Sequence, residues 1–179
     1  GHITFWARSE KMRKYNKTFV DMSTLEHSWD EVHQYRRYNL FTGFDIPPDY
    51  DKFPDNYEEL CHPVLDHILH VWGKGYQASY DYNIRWLAFT LQKPWIKLRV
   101  ALILKGFEGA GKGCILQMLG SIMGSKYFFQ VSNIKQELMG QFKPEGFALT
   151  KLIFIDEATF GGDHVQAGML KTLCSENTV

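Results

Sequence analysis

From Leu98 onward, short continuous apolar runs alternate with segments of helical period, and this alternation constrains the fold more than any other feature. "KLRVALILKG" and "KLIFIDEA" each carry an unbroken apolar centre, one ending in glycine and the other in two acids. That is the pattern of a parallel strand buried on both faces. Around them, "KGCILQMLGSIMG" is helical in period, "YFFQV" is a short strand, and "NIKQELMGQF" and "HVQAGMLKTLC" read as helices. Strand and helix in alternation build a parallel α/β sheet. A 179-residue chain with 45% hydrophobic and 15% aromatic residues can bury the core such a sheet needs, which excludes a disordered chain.

Upstream the pattern differs. In "ELCHPVLDHILHVW", Leu60, Val64, Ile68 and Trp72 recur every four residues, with Cys61, Leu65 and Leu69 alongside. Pro63 fits a first turn, so the helix is expected from near His62, with Gly73 and Gly75 ending it. In "YDYNIRWLAFTLQKP", Tyr80, Ile84, Leu87, Ala88 and Leu91 mark a second helical face, which Pro94 ends. Before Tyr57 the chain is aromatic-rich and irregular, with turn material in "TGFDIPPDYDKFPDN". The expected organisation is a mainly helical accessory or linker domain over 1–94 and an α/β core over 95–179. Gly1-His2 reads as the scar of a cleaved tag, and "SENTV" has no stop signal, so the core is expected to be truncated at its C-terminal side.

Formal net charge is zero, so no global field demands nucleic acid or a membrane. Cys61, Cys114 and Cys174 are scattered and odd in number, which fits a reducing cytoplasm better than a disulfide framework. "VALIL", the longest apolar run, cannot span a bilayer, and no signal peptide opens the chain.

The chemistry concentrates in "GFEGAGKGCI". Gly106, Gly111 and Lys112 match G-x-x-x-x-G-K, with Gly109 as an additional glycine inside. This pattern arises by chance in roughly 5% of chains this long, and here it lies between an apolar run and an amphipathic helix. Glycines let a backbone fold tightly and turn its N–H groups around phosphates. The following helix aims its positive end at the same place. The candidate nucleotide-binding residues are Gly106, Phe107, Glu108, Gly109, Ala110, Gly111, Lys112, Gly113 and Cys114. Lys112 is the charge that reaches the β and γ phosphates. In "LIFIDEA", Asp156 and Glu157 emerge at the C-terminal end of a strand, the edge where α/β sheets place ligands. Asp156 suits Mg²⁺, and Glu157 suits the polarisation of an attacking water. Together these features imply an ATP-binding hydrolase.

Gly113 stands where such loops carry a hydroxyl that ligates Mg²⁺. Cys114 is too soft to replace it, and no Ser or Thr follows before Ser121. The metal is therefore expected to keep an additional water and to lean on Asp156 and the phosphates.

"YNLFTGFDIPP", "IRWLAFTLQKPWIK", "GFEGAGKG" and "FIDEA", in that order, resemble the phage- and plasmid-type primase-helicases. The resemblance runs over most of the chain from Tyr38. It implies a superfamily 3 helicase core of AAA+-like P-loop fold, encoded by a phage or plasmid and working in the host cytoplasm during DNA replication. It also implies ATP and Mg²⁺ as cofactors, a ring assembly (a hexamer), and movement on single-stranded DNA. Glycine after the loop lysine occurs in this branch too. "MLKTLCSEN" resembles a segment in which a lysine nears the DNA-facing pore, so Lys171 is a candidate DNA contact; a solvated helix lysine explains it equally well. The family also places a polar sensor and an arginine finger further along, yet no Arg follows Arg99. Such a finger is worth about three to five orders of magnitude in rate. The chain is expected to bind ATP but to hydrolyse it poorly.

Weaker patterns have plainer explanations. Cys61, His62, His67 and His70 lack the spaced pairs of a zinc site and are expected to be ordinary helix residues. Arg8, Lys11, Arg13, Lys14 and Lys17, interleaved with tyrosine, could grip a nucleic-acid backbone, though a solvated basic surface is the more common role. Asp49–Asp51 lies in a Pro-rich turn and makes no primase centre. Two other functions remain open: a nucleotide-dependent assembly switch, which Gly113 favours, and a P-loop small-molecule kinase. The kinase is disfavoured because its cationic lid would need arginines after the loop, and none follows Arg99.

Overall fold

The computed structural model describes residues 17–26, 28–30, 35–46, 54–132, 134–138, 149–156 and 164–175. Two compact units divide the chain, Gly1–Gly43 and Phe44–Val179, so the break in compactness lies upstream of the change of pattern at Pro94.

In the first unit, β1 (Lys17–Phe19), β2 (Ser28–Asp30) and β3 (Tyr35–Asn39) form one sheet of order β1-β3-β2. β1 runs parallel to β3, and β2 antiparallel to it. Strands thus replace the irregular chain expected here. Thr, Phe, Trp and Tyr, frequent in these segments, fit a pleated surface. Asn39 is fully buried. Its amide donates to the carbonyls of Asp21 (2.9 Å) and Thr24 (2.8 Å), and its oxygen accepts from the N–H of Asp21 (3.0 Å) and Phe41 (3.1 Å). One side chain therefore holds the 21–24 turn against the end of β3. The Arg37 guanidinium lies 4.6 Å from the Phe19 ring centroid. Lys17 is exposed on β1, while Arg8, Lys11, Arg13 and Lys14 lie outside the described residues, as does Asp49–Asp51.

The second unit begins with α1 (Tyr57–His67), which continues into a π-helical turn, Ile68–Trp72, followed by α2 (Gln77–Gln92). α1 starts five residues before His62, which puts Pro63 in its interior. The proline is tolerated there because α1 buries none of its residues, and Glu58 and Glu59 stabilise its positive end. Burial starts at the π turn, with Ile68 and Trp72. On α2, Leu87 is buried between Asn83 and Thr90, and the Thr90 hydroxyl is satisfied by the Trp86 carbonyl at 2.9 Å.

Residues 97–107 form no strand, which corrects the reading of "KLRVALILKG". Arg99 adopts φ +57°, outside the extended region, and Ile103 is 78% exposed. A run of apolar residues is a buried strand only when a neighbouring strand takes its N–H and C=O groups, and neither strand of the core sheet does. Lys151 donates to the Ile96 carbonyl at 2.5 Å, tying this segment to the start of the sheet. Burial, with Lys97 nearby, pulls the Lys151 amine below the ordinary lysine value.

The remaining elements follow the expected alternation: α3 (Cys114–Met123), β4 (Phe128–Val131), α4 (Ile134–Glu137), β5 (Leu152–Ile155) and α5 (His164–Ser175). β4 and β5 pair in parallel, from Phe128 opposite Leu152 to Val131 opposite Ile155. Alternation then sorts the side chains. Phe128, Gln130, Leu152 and Phe154 share one face, and α3 lies on it, with Gly120 so close to the Phe128 ring that a Cβ there would come within 2.6 Å. Val131 on the other face joins Ile134 and Leu138, with Phe129, Ile153, Ile155 and Leu173 packed against them. The small sheet is thus covered by helices on both sides, a mixed α/β arrangement. Among the described residues no helix is long and apolar enough to cross a membrane.

Candidate nucleotide site

The loop of residues 106–113 leaves the 97–105 segment and opens directly into α3. Gly109 (φ +73°) and Gly111 (φ +77°) hold conformations that L side chains rarely adopt, which is why glycine recurs here. Gly111 has a second constraint: a Cβ there would stand 2.9 Å from Cε1 of His67. Gly113 caps α3, and its carbonyl accepts from the Gln117 N–H at 2.9 Å. Ala110 N–H reaches the Phe107 carbonyl at 3.4 Å, and Cys114 N–H reaches the Gly111 carbonyl at 3.1 Å. The N–H groups of Gly109, Gly111, Lys112 and Gly113 meet no acceptor among the described residues. Unpaired amides on a tight loop, at the positive end of a helix, are groups suited to an anion.

The Lys112 ammonium folds over its own loop and donates to the carbonyls of Phe107 (2.6 Å) and Gly106 (3.2 Å). It is thereby held against its own loop, and those two carbonyls are the partners an anion would have to replace. Glu108 is exposed, Cys114 is exposed and free, and Phe107 is 91% exposed.

Two contacts from upstream fix this loop. Nε2 of His67 lies 2.9 Å from the Gly111 carbonyl. Because a carbonyl only accepts, that nitrogen carries the proton. The Trp72 indole N–H donates to the Lys112 carbonyl at 2.9 Å. The π turn between them, closed by the Gly73 N–H on the Ile68 carbonyl at 2.9 Å, belongs to a class of helix irregularity that recurs at functional sites. The sequence marks neither residue as a loop contact. His67 stands out there only beside Cys61, His62 and His70, and that grouping does not assemble. His70 turns to Asp66, bonding its carbonyl at 3.0 Å and its carboxylate at 3.1 Å. Among the described residues no three metal-ligating side chains converge.

β5 supplies the facing wall. A Cβ on Gly113 would meet Cζ of Phe154 at 3.1 Å, so the ring backs the end of the loop. The ladder continues one step past β5, since Asp156 N–H bonds the Val131 carbonyl at 2.9 Å. Alternation then puts Asp156 on the face of Phe154. Gln130, on that face too, bonds the Asp156 carboxylate at 3.4 Å. One hard carboxylate at this edge suits Mg²⁺, which keeps most of its waters and takes one or two protein oxygens. Glu157, the candidate base, lies outside the described residues. Lys171 is exposed on α5.

The comparisons cover the loop and the acidic strand end but not the helices before them. No curated protein and no solved structure matches the chain. Residues 104–179 match the model of a family of unknown function, DUF5906.

Proposed function

We propose that this chain is the ATP-binding part of a replicative DNA helicase of the primase-helicase type, coupling ATP hydrolysis to movement along single-stranded DNA. The observation that carries the reading is the 106–113 loop itself. Two left-handed glycines, four N–H groups without an acceptor among the described residues and the Lys112 ammonium belong to one short loop at the N-terminus of α3. Nothing in a structural turn requires that combination. The loop amides and Lys112 bind the phosphate chain, and Asp156 holds the metal with Gln130 steadying its carboxylate. Magnesium, when bound, would neutralise charge developing between the β and γ phosphates. Glu157 is assigned to the attacking water on its place in the sequence. The ring assembly, the DNA contact at Lys171 and the P-loop AAA+-like core belong to the same proposal and rest on the resemblance of "GFEGAGKG" and "FIDEA" in their order.

The alternative is a nucleotide-dependent assembly switch with little turnover. Gly113 favours it, because Phe154 backs that position and no hydroxyl is offered to a metal there. Hydrolysis of Mg-ATP, with and without single-stranded DNA, separates the two when Lys112→Ala is measured alongside. Turnover that DNA stimulates and the variant abolishes supports the helicase. ATP binding without DNA-stimulated turnover replaces it with the switch.

A further inference from the structure

The amides that face an anion in the 106–113 loop belong to the same peptide planes as the carbonyls that His67 and Trp72 hold. In a trans peptide the C=O of one residue and the N–H of the next point in opposite directions. His67 fixes the Gly111 carbonyl at 2.9 Å, which directs the Lys112 N–H the other way. Trp72 fixes the Lys112 carbonyl at 2.9 Å, which does the same for the Gly113 N–H. Those two N–H groups have no acceptor among the described residues. Gly111 and Lys112 are half-buried, and the Gly111 carbonyl accepts from the Cys114 N–H as well, at 3.1 Å, so the side-chain bond from His67 is a second hold on that peptide plane. The two bonds thus fix the orientation of successive peptide planes as well as satisfying half-buried carbonyls.

We propose that His67 and Trp72 are positioning residues for phosphate binding: from the end of α1 and its π turn they lock two successive peptide planes of the loop with the N–H groups turned toward the anion. The inference rests on the nucleotide reading of the loop and adds to it residues that lie outside the matched 104–179 region. The π turn is the device that delivers both. Its wider winding lets residues five apart, His67 and Trp72, reach adjacent carbonyls. Gly73 closes the turn because a Cβ there would stand 2.7 Å from the Leu69 carbonyl oxygen.

The test is calorimetric titration of the full chain with ATP and, separately, with inorganic tripolyphosphate. The variants are Lys112→Ala, His67→Ala, His67→Gln and Trp72→Phe, each checked for an unchanged melting profile. Losing one orienting bond is expected to weaken both ligands about five- to tenfold, equally, because the phosphate chain is what the planes address. His67→Gln, whose amide can donate to the same carbonyl, is expected to recover to within about twofold of wild type. A merely structural role would not be rescued in binding at constant stability. If wild type binds and Lys112→Ala does not, while His67→Ala and Trp72→Phe bind like wild type, the positioning role falls and the nucleotide reading stands. If the loss appears with ATP but not with tripolyphosphate, the pair addresses the nucleoside and the proposal is overturned. If wild type binds neither ligand, both readings fall together.

Discussion

Restoring the missing hydroxyl by Gly113→Ser meets an obstacle that the structure quantifies. The backbone accepts the change, since φ is −80° and ψ −15°, and serine is a good residue at a helix start. The space does not. The new Cβ would stand 3.1 Å from Cζ and 3.6 Å from Cε1 of Phe154. Phe154 is buried and its ring lies 6.5 Å from that of Phe128, so the few tenths of an ångström that the new Cβ requires must come from a packed ring. Overpacking of this kind costs about 1–3 kcal/mol, and the capping gain over glycine returns only a few tenths. Gly113→Ser is therefore expected to lose about 1–2 kcal/mol, read as a lower urea midpoint at unchanged slope. Phe154→Leu alone is also expected to cost about 1–2 kcal/mol from the volume removed. The double variant should cost less than the sum by about 1 kcal/mol, because the smaller side chain vacates the contested space. It should also bind ATP at lower Mg²⁺ than wild type does. Strict additivity of the two stabilities would show that Phe154 does not restrict position 113.

Four further expectations use other parts of the molecule. Gly111→Ala, which combines φ +77° with a Cβ 2.9 Å from His67, should abolish ATP binding in titration and cost about 1–3 kcal/mol; His67→Ala in the same chain should recover part of the stability and none of the binding. Lys74 sits at φ +51°, so Lys74→Gly should raise the melting temperature by about 2–4 °C, and a fall would mean its backbone is not strained. Asn39→Ala removes four hydrogen bonds at a fully buried site and should cost about 2–4 kcal/mol by urea unfolding. Lys151 has its amine value lowered by burial and by Lys97, so its charged form weakens the fold at neutral pH. That penalty is complete below the folded value, shrinks as pH rises through it, and vanishes above the unfolded value of 10.5. The stability advantage of Lys151→Met should shrink over that window; a difference independent of pH would refute the linkage.

The helices after the loop were legible because their signal is local. Leu119 and Met123 recur with Ile115 at helical spacing, and all three are buried as that spacing implies. β4 and β5 were legible for the same reason, being short apolar segments between turns. "VALIL" misled because continuous hydrophobicity reports how apolar a segment is and says nothing of whether a strand lies ready to pair with it. Pro63 misled because the cost of an interior proline is local, whereas what α1 gains comes from the π turn that it leads into. The first sheet was hidden by its composition: Lys17, Arg36 and Arg37 make β1 and β3 read as charged loop, although β3 ends on the fully buried Asn39.

The site divides along the same line. Lys112, its glycines and Asp156 stand out in the sequence as candidates because residue type at short spacing marks them. His67 and Trp72 could not, since each acts on a carbonyl some forty residues away, and a carbonyl has no letter in the sequence. The Gly113 departure changes meaning once that geometry is known. From sequence it is a lost metal ligand; in the structure it is also a position at the start of α3 where a Cβ would press on Phe154 of β5. The Cβ of any side chain at that point would push on Phe154, and Phe154 is two residues from Asp156 on the same face. If Asp156 holds the metal as proposed, gaining a second ligand from the loop would disturb the strand that presents the first. On this reading glycine at 113 keeps Asp156 in place, and the metal's missing ligand is the consequence.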